Sequence, residues 1–228
     1  VQDVLTDLAK TLISKLPRRW QQRLRQAHVD RQLERGTFFT NETEFGLLPE
    51  LVSEGDWVID VGANVGHYTK RLSDLVGPQG RVLAFEPVPD TFAVLTAAST
   101  RFRHANVSLF NAAVSDRLRQ VGMSMPAFDS GLTNYYQAHI EEGAEASLGV
   151  LTMSIDALRI EQPIALVKID AEGHEAAVIG GMSELLRAHR PTLILETGDT
   201  DLLERLEAMG YRWERAPGSS NVLLRSTS

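Results

Sequence analysis

Three short runs carry side chains whose type and spacing could do chemistry. In VIDVGANVGHYT (58–69), Asp60 ends an apolar stretch, Gly62 and Gly66 bracket a tight turn, and a helical pattern follows. Strand, glycine turn and helix in that order bind ligands beyond the carboxyl ends of parallel strands, where the backbone can approach closely and a helix start offers N–H donors. The phosphate-binding pattern GxGxxG is not met, because the second residue after Gly62 is Asn64. Asn tolerates positive φ, so it holds such a turn while adding an amide. In VLAFEP (82–87) Glu86 closes the apolar run, 26 residues past Asp60, where a carboxylate can accept hydrogen bonds from both ribose hydroxyls. Asn111 and Ala112 end a third apolar run and could border an adenine. A nucleoside cofactor is the expectation. Asp60 facing a cationic sulfonium or ammonium favours S-adenosylmethionine (SAM) over a dinucleotide. The plainer alternative is an ordinary βα turn and a strand-terminal acid.

KIDAEGHE (168–175) gathers Asp170, Glu172, His174 and Glu175 within six residues. In an extended stretch Asp170 and Glu172 project to one side, and Gly173 permits a sharp turn. Were SAM the cofactor and a hydroxyl the acceptor, the site would have to align the acceptor oxygen and guide away its proton. Asp170 is therefore expected to orient cofactor or substrate, and His174 or Glu172 to act as base. Against these stand a helix cap for Glu172 and a solvated histidine. Asp170, Glu172 and Glu196 would also supply oxygen ligands for Mg2+, but no metal-specific spacing is visible and no metal site is assigned. His67 reads as a helix-start residue. Tyr135, Tyr136 and Asp129 either shape an acceptor pocket or lie in a solvated loop.

These runs need elements to hold them. Short β-branched runs near 57–61, 81–86, 107–111, 164–170 and 192–197 alternate with helical patterns near 66–76, 90–103, 174–188 and 200–209, which is the signature of parallel strands with crossover helices. Residues 211–216 and 221–226, around the turn residues 217–220, read as a closing antiparallel hairpin. Nicotinamide-binding sheets usually continue with a parallel strand instead. An insertion at about 121–155 holds two extended segments around a polar middle. Ahead of the sheet, residues 1–16 read as an amphipathic helix stopped by Pro17, and 17–36 as a strongly basic helix ended by Gly36. That basic helix suggests a solvated face, an oligomer contact or a lid over an acidic substrate. The expected division is a helical extension, 1–39, and a catalytic domain, 40–228.

Composition bounds the rest. With 228 residues and 43% hydrophobic content, one core is expected. No run is apolar enough for a membrane span, no signal-peptide layout is present, and there are no cysteines. A soluble, cytoplasmic protein is the expectation. A net charge of −7 disfavours sequence-independent nucleic-acid binding and favours a small or carrier-bound substrate. The N-terminal helices could support a homo-oligomer.

VIDVGANVGHYT (58–69), LAFEPVPDTFAVL (83–95), FNAAVSD (110–116) and IALVKIDAEGHEAAVIGGM (164–182), in that order, resemble the FkbM family of methyltransferases over roughly residues 40–200. The resemblance implies an α/β fold of the class I SAM-dependent, Rossmann-like type, SAM as cofactor, and O-methylation of a sugar, glycolipid or secondary metabolite. By position it implies Asp60, Gly62, Asn64 and Tyr68 around the methionine half of SAM, Glu86 at the ribose, and Asn111 and Ala112 near adenine. TNETEFGLLPELV (40–52) resembles the region ahead of the first motif, with Glu44 as the candidate contact. N-methylation, a SAM-binding protein without turnover and a nicotinamide-dependent enzyme remain the alternatives that the motifs themselves leave open.

Overall fold

The computed structural model describes residues 12–128, 131, 133–141, 148–215 and 218–227. In chain order its first elements are α1 (Arg18–Arg35), α2 (Thr43–Leu51), β1 (Trp57–Val61), α3 (His67–Val76), β2 (Arg81–Phe85), α4 (Pro89–Ser99) and β3 (Val107–Phe110). Then come β4 (Ala113–Val114) and, around the insertion, β5 (Arg119–Ser124), β6 (His139–Glu141) and β7 (Leu148–Met153). The chain continues through β8 (Ile164–Ile169), α5 (Glu175–Gly180), α6 (Ser183–His189), β9 (Thr192–Glu196), α7 (Thr200–Ala208), β10 (Tyr211–Arg215) and β11 (Asn221–Ser226).

The main sheet runs β10-β11-β9-β8-β1-β2-β3. β3, β2, β1, β8 and β9 pair in parallel, as the sequence predicts. Their runs are apolar throughout because both faces are covered, and successive residues feed opposite cores. Ile59, Leu83, Phe85, Val167 and Leu195 pack with Val178 and Leu206 on one face, while Val58, Val82, Leu166 and Ile194 pack with Leu72 and Leu95 on the other. All the strand ends that bear the motifs therefore open on one rim. The closing hairpin is present with a refinement: β11 inserts between β9 and β10, antiparallel to both, and leaves β10 at the edge.

Two features depart from the sequence reading. The two extended segments expected in the insertion are β5 and β7, but with β6 and the preceding β4 they form a second sheet, β4-β7-β5-β6, whose core of Ala113, Val121, Met123 and Val150 closes on Val88 just beyond β2. The helix expected over 174–188 is two helices. A side chain at Gly181 would stand 1.9 Å from the Ser115 carbonyl oxygen, and Asp156 accepts from the Glu184 and Leu185 N–H groups at the start of α6. Docking of the insertion's base breaks the helix there. Gly36 stops α1 as expected, with φ +67. No helix among the described residues is long and apolar enough to cross a membrane.

Candidate active site

At the carboxyl ends of β1, β2 and β8 lies an open cleft, the place where open α/β sheets bind ligands. Gly62, Asn64, Glu86 and Ala112 line it together with Asp170, Glu172 and His174. Met123 and Ile140 of the second sheet, and Tyr135 from the turn between its strands, also line it.

The glycine turn is built for close approach. Gly62 has φ +74, and a Cβ there would lie 2.0 Å from the Asp170 carbonyl oxygen, so its absence lets the ends of β1 and β8 meet. Asn64 takes φ +49, the left-handed region anticipated for it. The N–H donors expected to serve a ligand have internal partners. Gly62 and Ala63 donate to the Phe85 carbonyl at 3.0 and 2.9 Å, and Asn64 donates to Glu86 Oε2 at 2.9 Å. Glu86 Oε1 accepts from the Val88 N–H at 2.8 Å. Burial pushes the Glu86 carboxyl up to about 7, against those two N–H groups and the nearby Arg25 and Lys168 cations. Asn111 donates its amide to the Glu86 and Pro87 carbonyls at 2.8 and 3.1 Å. It clamps the chain's exit, while its neighbour Ala112 faces the cleft.

Asp60, Tyr68 and Glu44 are not among the cleft-lining residues. Fully buried Asp60 accepts from Thr69 Oγ1 at 2.6 Å. Lys168, within the otherwise apolar β8, reaches Asp170 Oδ2 at 3.0 Å and the Gly62 carbonyl at 3.4 Å, and stands 5.1 Å from the Tyr68 ring. Burial raises the Asp60 carboxyl, opposed by Lys168. Burial alone would lower the Lys168 ammonium, but Asp170 and Asp60 outweigh it and hold the group charged. The Tyr68 hydroxyl donates to Glu42 Oε2 at 2.6 Å. Glu44 accepts from Ser219 Oγ at 3.1 Å and from the Asn221 amide, tying α2 to the hairpin turn.

At the end of β8, Glu172 takes φ +47. Partial burial, then Asp170, Glu196 and Glu175, push its carboxyl up to about 7. His174 Nε2 lies 2.9 Å from Ser115 Oγ. Glu175 accepts from the Gly173 N–H at 2.9 Å, which tightens the turn into α5. Glu172 also opens onto a polar groove with Glu196, Thr197, Arg215 and Ser220. In that groove Ser220 donates to Glu196 at 2.6 Å, and Arg215 donates to the Ser220 carbonyl at 2.8 Å. Among the described residues no three His, Asp or Glu side chains are grouped to hold a metal ion.

The basic helix is only partly a solvated face. Arg25 donates to Thr91 Oγ1 at 3.0 Å and Asn64 Oδ1 at 3.2 Å, and its guanidinium lies 4.5 Å from the Tyr135 ring. Tyr135 in turn donates to Asp90 at 3.2 Å, so α1, the glycine turn and the insertion meet there. His67 packs 4.3 Å from Phe38 outside the cleft. Asp129 lies outside the described residues. The sequence reading passed over Lys168, Glu42, Arg25 and Ser115. A cation inside an apolar strand is a signal that could have found Lys168, since buried Lys requires a partner. Nothing in the sequence separates Arg25 from its neighbouring arginines.

A parallel five-stranded core, an inserted antiparallel final strand and a cleft over the glycine turn define the fold of class I SAM-dependent methyltransferases. The profile of the Methyltransferase FkbM domain matches residues 60–213, and the chain belongs to that family. Over 146 residues it is 30% identical to the hexuronic acid methyltransferase AglP of Haloferax volcanii, an alignment covering 62% of this chain and 56% of that protein. This chain thus spans little more than half the length of that relative. It is also similar to the crystal structure of methyltransferase FkbM from Methylobacillus flagellatus KT, with TM-score 0.55 and 15% identity over 88% of this chain and 59% of that one. At that identity the likeness is one of fold.

Proposed function

We propose that this protein transfers the methyl group of SAM to a hydroxyl of a sugar or other hydroxylated small molecule. The observation that carries the reading is Glu172: it lines both the cleft floored by Glu86 and the polar groove beside it. The lining of the cleft suits SAM in its chemistry. Glu86 would accept the ribose hydroxyls, Val88, Ala112, Met123 and Ile140 offer an apolar wall for adenine, and Gly62 and Asn64 border the amino-acid half. Bound SAM supplies an electrophilic methyl group on a sulfonium. Asp60 and Tyr68 act from behind the turn, through Lys168 and Glu42, as positioning residues, and Glu44 holds α2 in place. Asn111 fixes the chain beside adenine.

Glu172 would accept the acceptor's hydroxyl proton, since a carboxyl titrating near 7 is matched to base catalysis at neutral pH. Asp170, anchored by Lys168, would orient the reacting groups, and His174, held by Ser115, would border the acceptor. The carboxylates, hydroxyl and guanidinium of the groove suit a polyhydroxylated acceptor. The hexuronic acid methyltransferase relative supports a carbohydrate, with Arg215 placed to meet a sugar carboxylate. In this reading residues 40–228 are the catalytic unit and 1–39 an extension, whose helix α1 lies beside the cofactor turn through Arg25. Calorimetry should show SAM binding that weakens by about tenfold or more in Glu86→Gln. Labelled SAM offered to a panel of neutral and acidic sugars should yield O-methyl products, with or without a chelator. Methyl label recovered on nitrogen, or NAD binding in place of SAM, would overturn the proposal.

A further inference from the structure

Charge is unevenly distributed along the chain. The net charge is −7, yet residues 15–35 carry seven Lys and Arg against Asp30 and Glu34. α1 buries Val29 and turns Gln22 and Arg25 inward to Asp90, Thr91 and Asn64. At 3.6 residues per turn, Trp20, Arg23 and Arg35 fall on the opposite side and are exposed; Leu24 and Arg31, also exposed, border a groove shared with Gln22 and Arg25. Trp20 and Leu24 are 46% and 44% exposed, and Leu12 and Leu16, just ahead of the helix, 61% and 40%. Arg18 pairs with Asp90. Among the described residues, Lys15, Arg19, Arg23, Arg31 and Arg35 form no ion pair.

This surface interleaves bulky apolar groups with cations that have no carboxylate partner, Arg23 lying over the Trp20 ring at 5.1 Å. A merely solvated helix has no use for an exposed Trp and three exposed Leu. A nucleic-acid backbone would satisfy the cations and leave the leucines in water. An anionic bilayer meets both demands: lipid phosphates pair with guanidinium groups, while Trp and Leu enter the boundary between headgroups and acyl chains. The acidic remainder of the chain would be repelled, but beyond about 8–10 Å that repulsion is screened at physiological salt, so the local patch decides orientation. We propose that the outer face of α1, with Leu12 and Leu16, docks the protein peripherally on an anionic membrane surface. The proposal is independent of the methyl acceptor's identity.

Cosedimentation of the full chain with phosphatidylcholine vesicles, with and without phosphatidylglycerol, tests it. Binding should require the anionic lipid, fall steeply with added salt, and shift the tryptophan emission to shorter wavelength, a shift lost in Trp20→Phe. Replacing Arg19, Arg23 and Arg31 together by Gln should lower partitioning by about 100-fold, and Trp20→Ala with Leu24→Ala by about tenfold or more, with circular dichroism and melting unchanged. No binding to anionic vesicles, equal binding to neutral ones, or binding indifferent to the arginine substitutions would overturn the proposal. So would a dimer in sedimentation equilibrium that Trp20→Ala and Leu24→Ala dissolve, which would assign the face to a second copy of the chain.

Discussion

Replacing Glu172 by Gln keeps the shape of the side chain and removes its ability to take a proton. With its carboxyl at about 7, roughly a tenth of the molecules carry the ionised base at pH 6 and about nine-tenths at pH 8. Methyl transfer by the unaltered protein under saturating SAM should therefore rise about tenfold across that interval. The Gln variant should lose most of its turnover and the pH dependence with it, whereas His174→Ala should keep the rising limb. Stability should move oppositely. The folded-state carboxyl is raised above its ordinary 4.5, so its contribution is fully present below 4.5 and is lost as pH rises through about 7. Glu172→Gln removes that loss and should stabilise the protein above pH 7. The gain should be no more than about 1 kcal/mol, because the side chain is largely in solvent. Initial rates with labelled SAM from pH 5.5 to pH 8.5, beside urea titrations at both ends, measure the two effects. A Gln variant that turns over at the normal rate with an unchanged limb would refute the assignment of Glu172 as base.

Gly62→Ala places a methyl 2.0 Å from the Asp170 carbonyl oxygen at φ +74. Left-handed strain and overlap together should lower stability by about 2–5 kcal/mol, read by denaturant titration, and an unchanged midpoint would show that the strand ends do not meet as described. Lys168→Met strands Asp60 and Asp170 without their buried cation. It should cost about 3–5 kcal/mol and recover part of that loss in acid, where the raised Asp60 carboxyl regains its proton. Loss independent of pH would argue that Lys168 acts by packing alone.

The parallel core, the final hairpin and the left-handed Asn64 were legible because each depends on local facts: apolar runs, turn residues and one Asn where a glycine would be usual. Spacing alone likewise marked Glu86 and the cluster from Asp170 to Glu175 as belonging at strand ends. Which of these side chains face the cleft was not legible. Asp60 and Tyr68 sit on the same motif as Gly62 and Asn64, yet one binds Thr69 and the other Glu42, because helix packing and the register of β8 decide which way each points. The second sheet was hidden for a similar reason. β5 and β7 are short and half-exposed, and only their pairing across a long loop, over Val88, makes them a sheet.

By itself, then, the sequence determined a SAM-type turn on an α/β sheet, through periodicity and residue types that act within a few positions of one another. Tertiary structure decided that Lys168 balances Asp60 and Asp170, that Arg25 alone among the arginines of α1 reaches Asn64, and that Glu172 stands between cleft and groove. Those relations join residues distant in the chain. They arise from close packing and the electrostatics of burial, which no local pattern encodes.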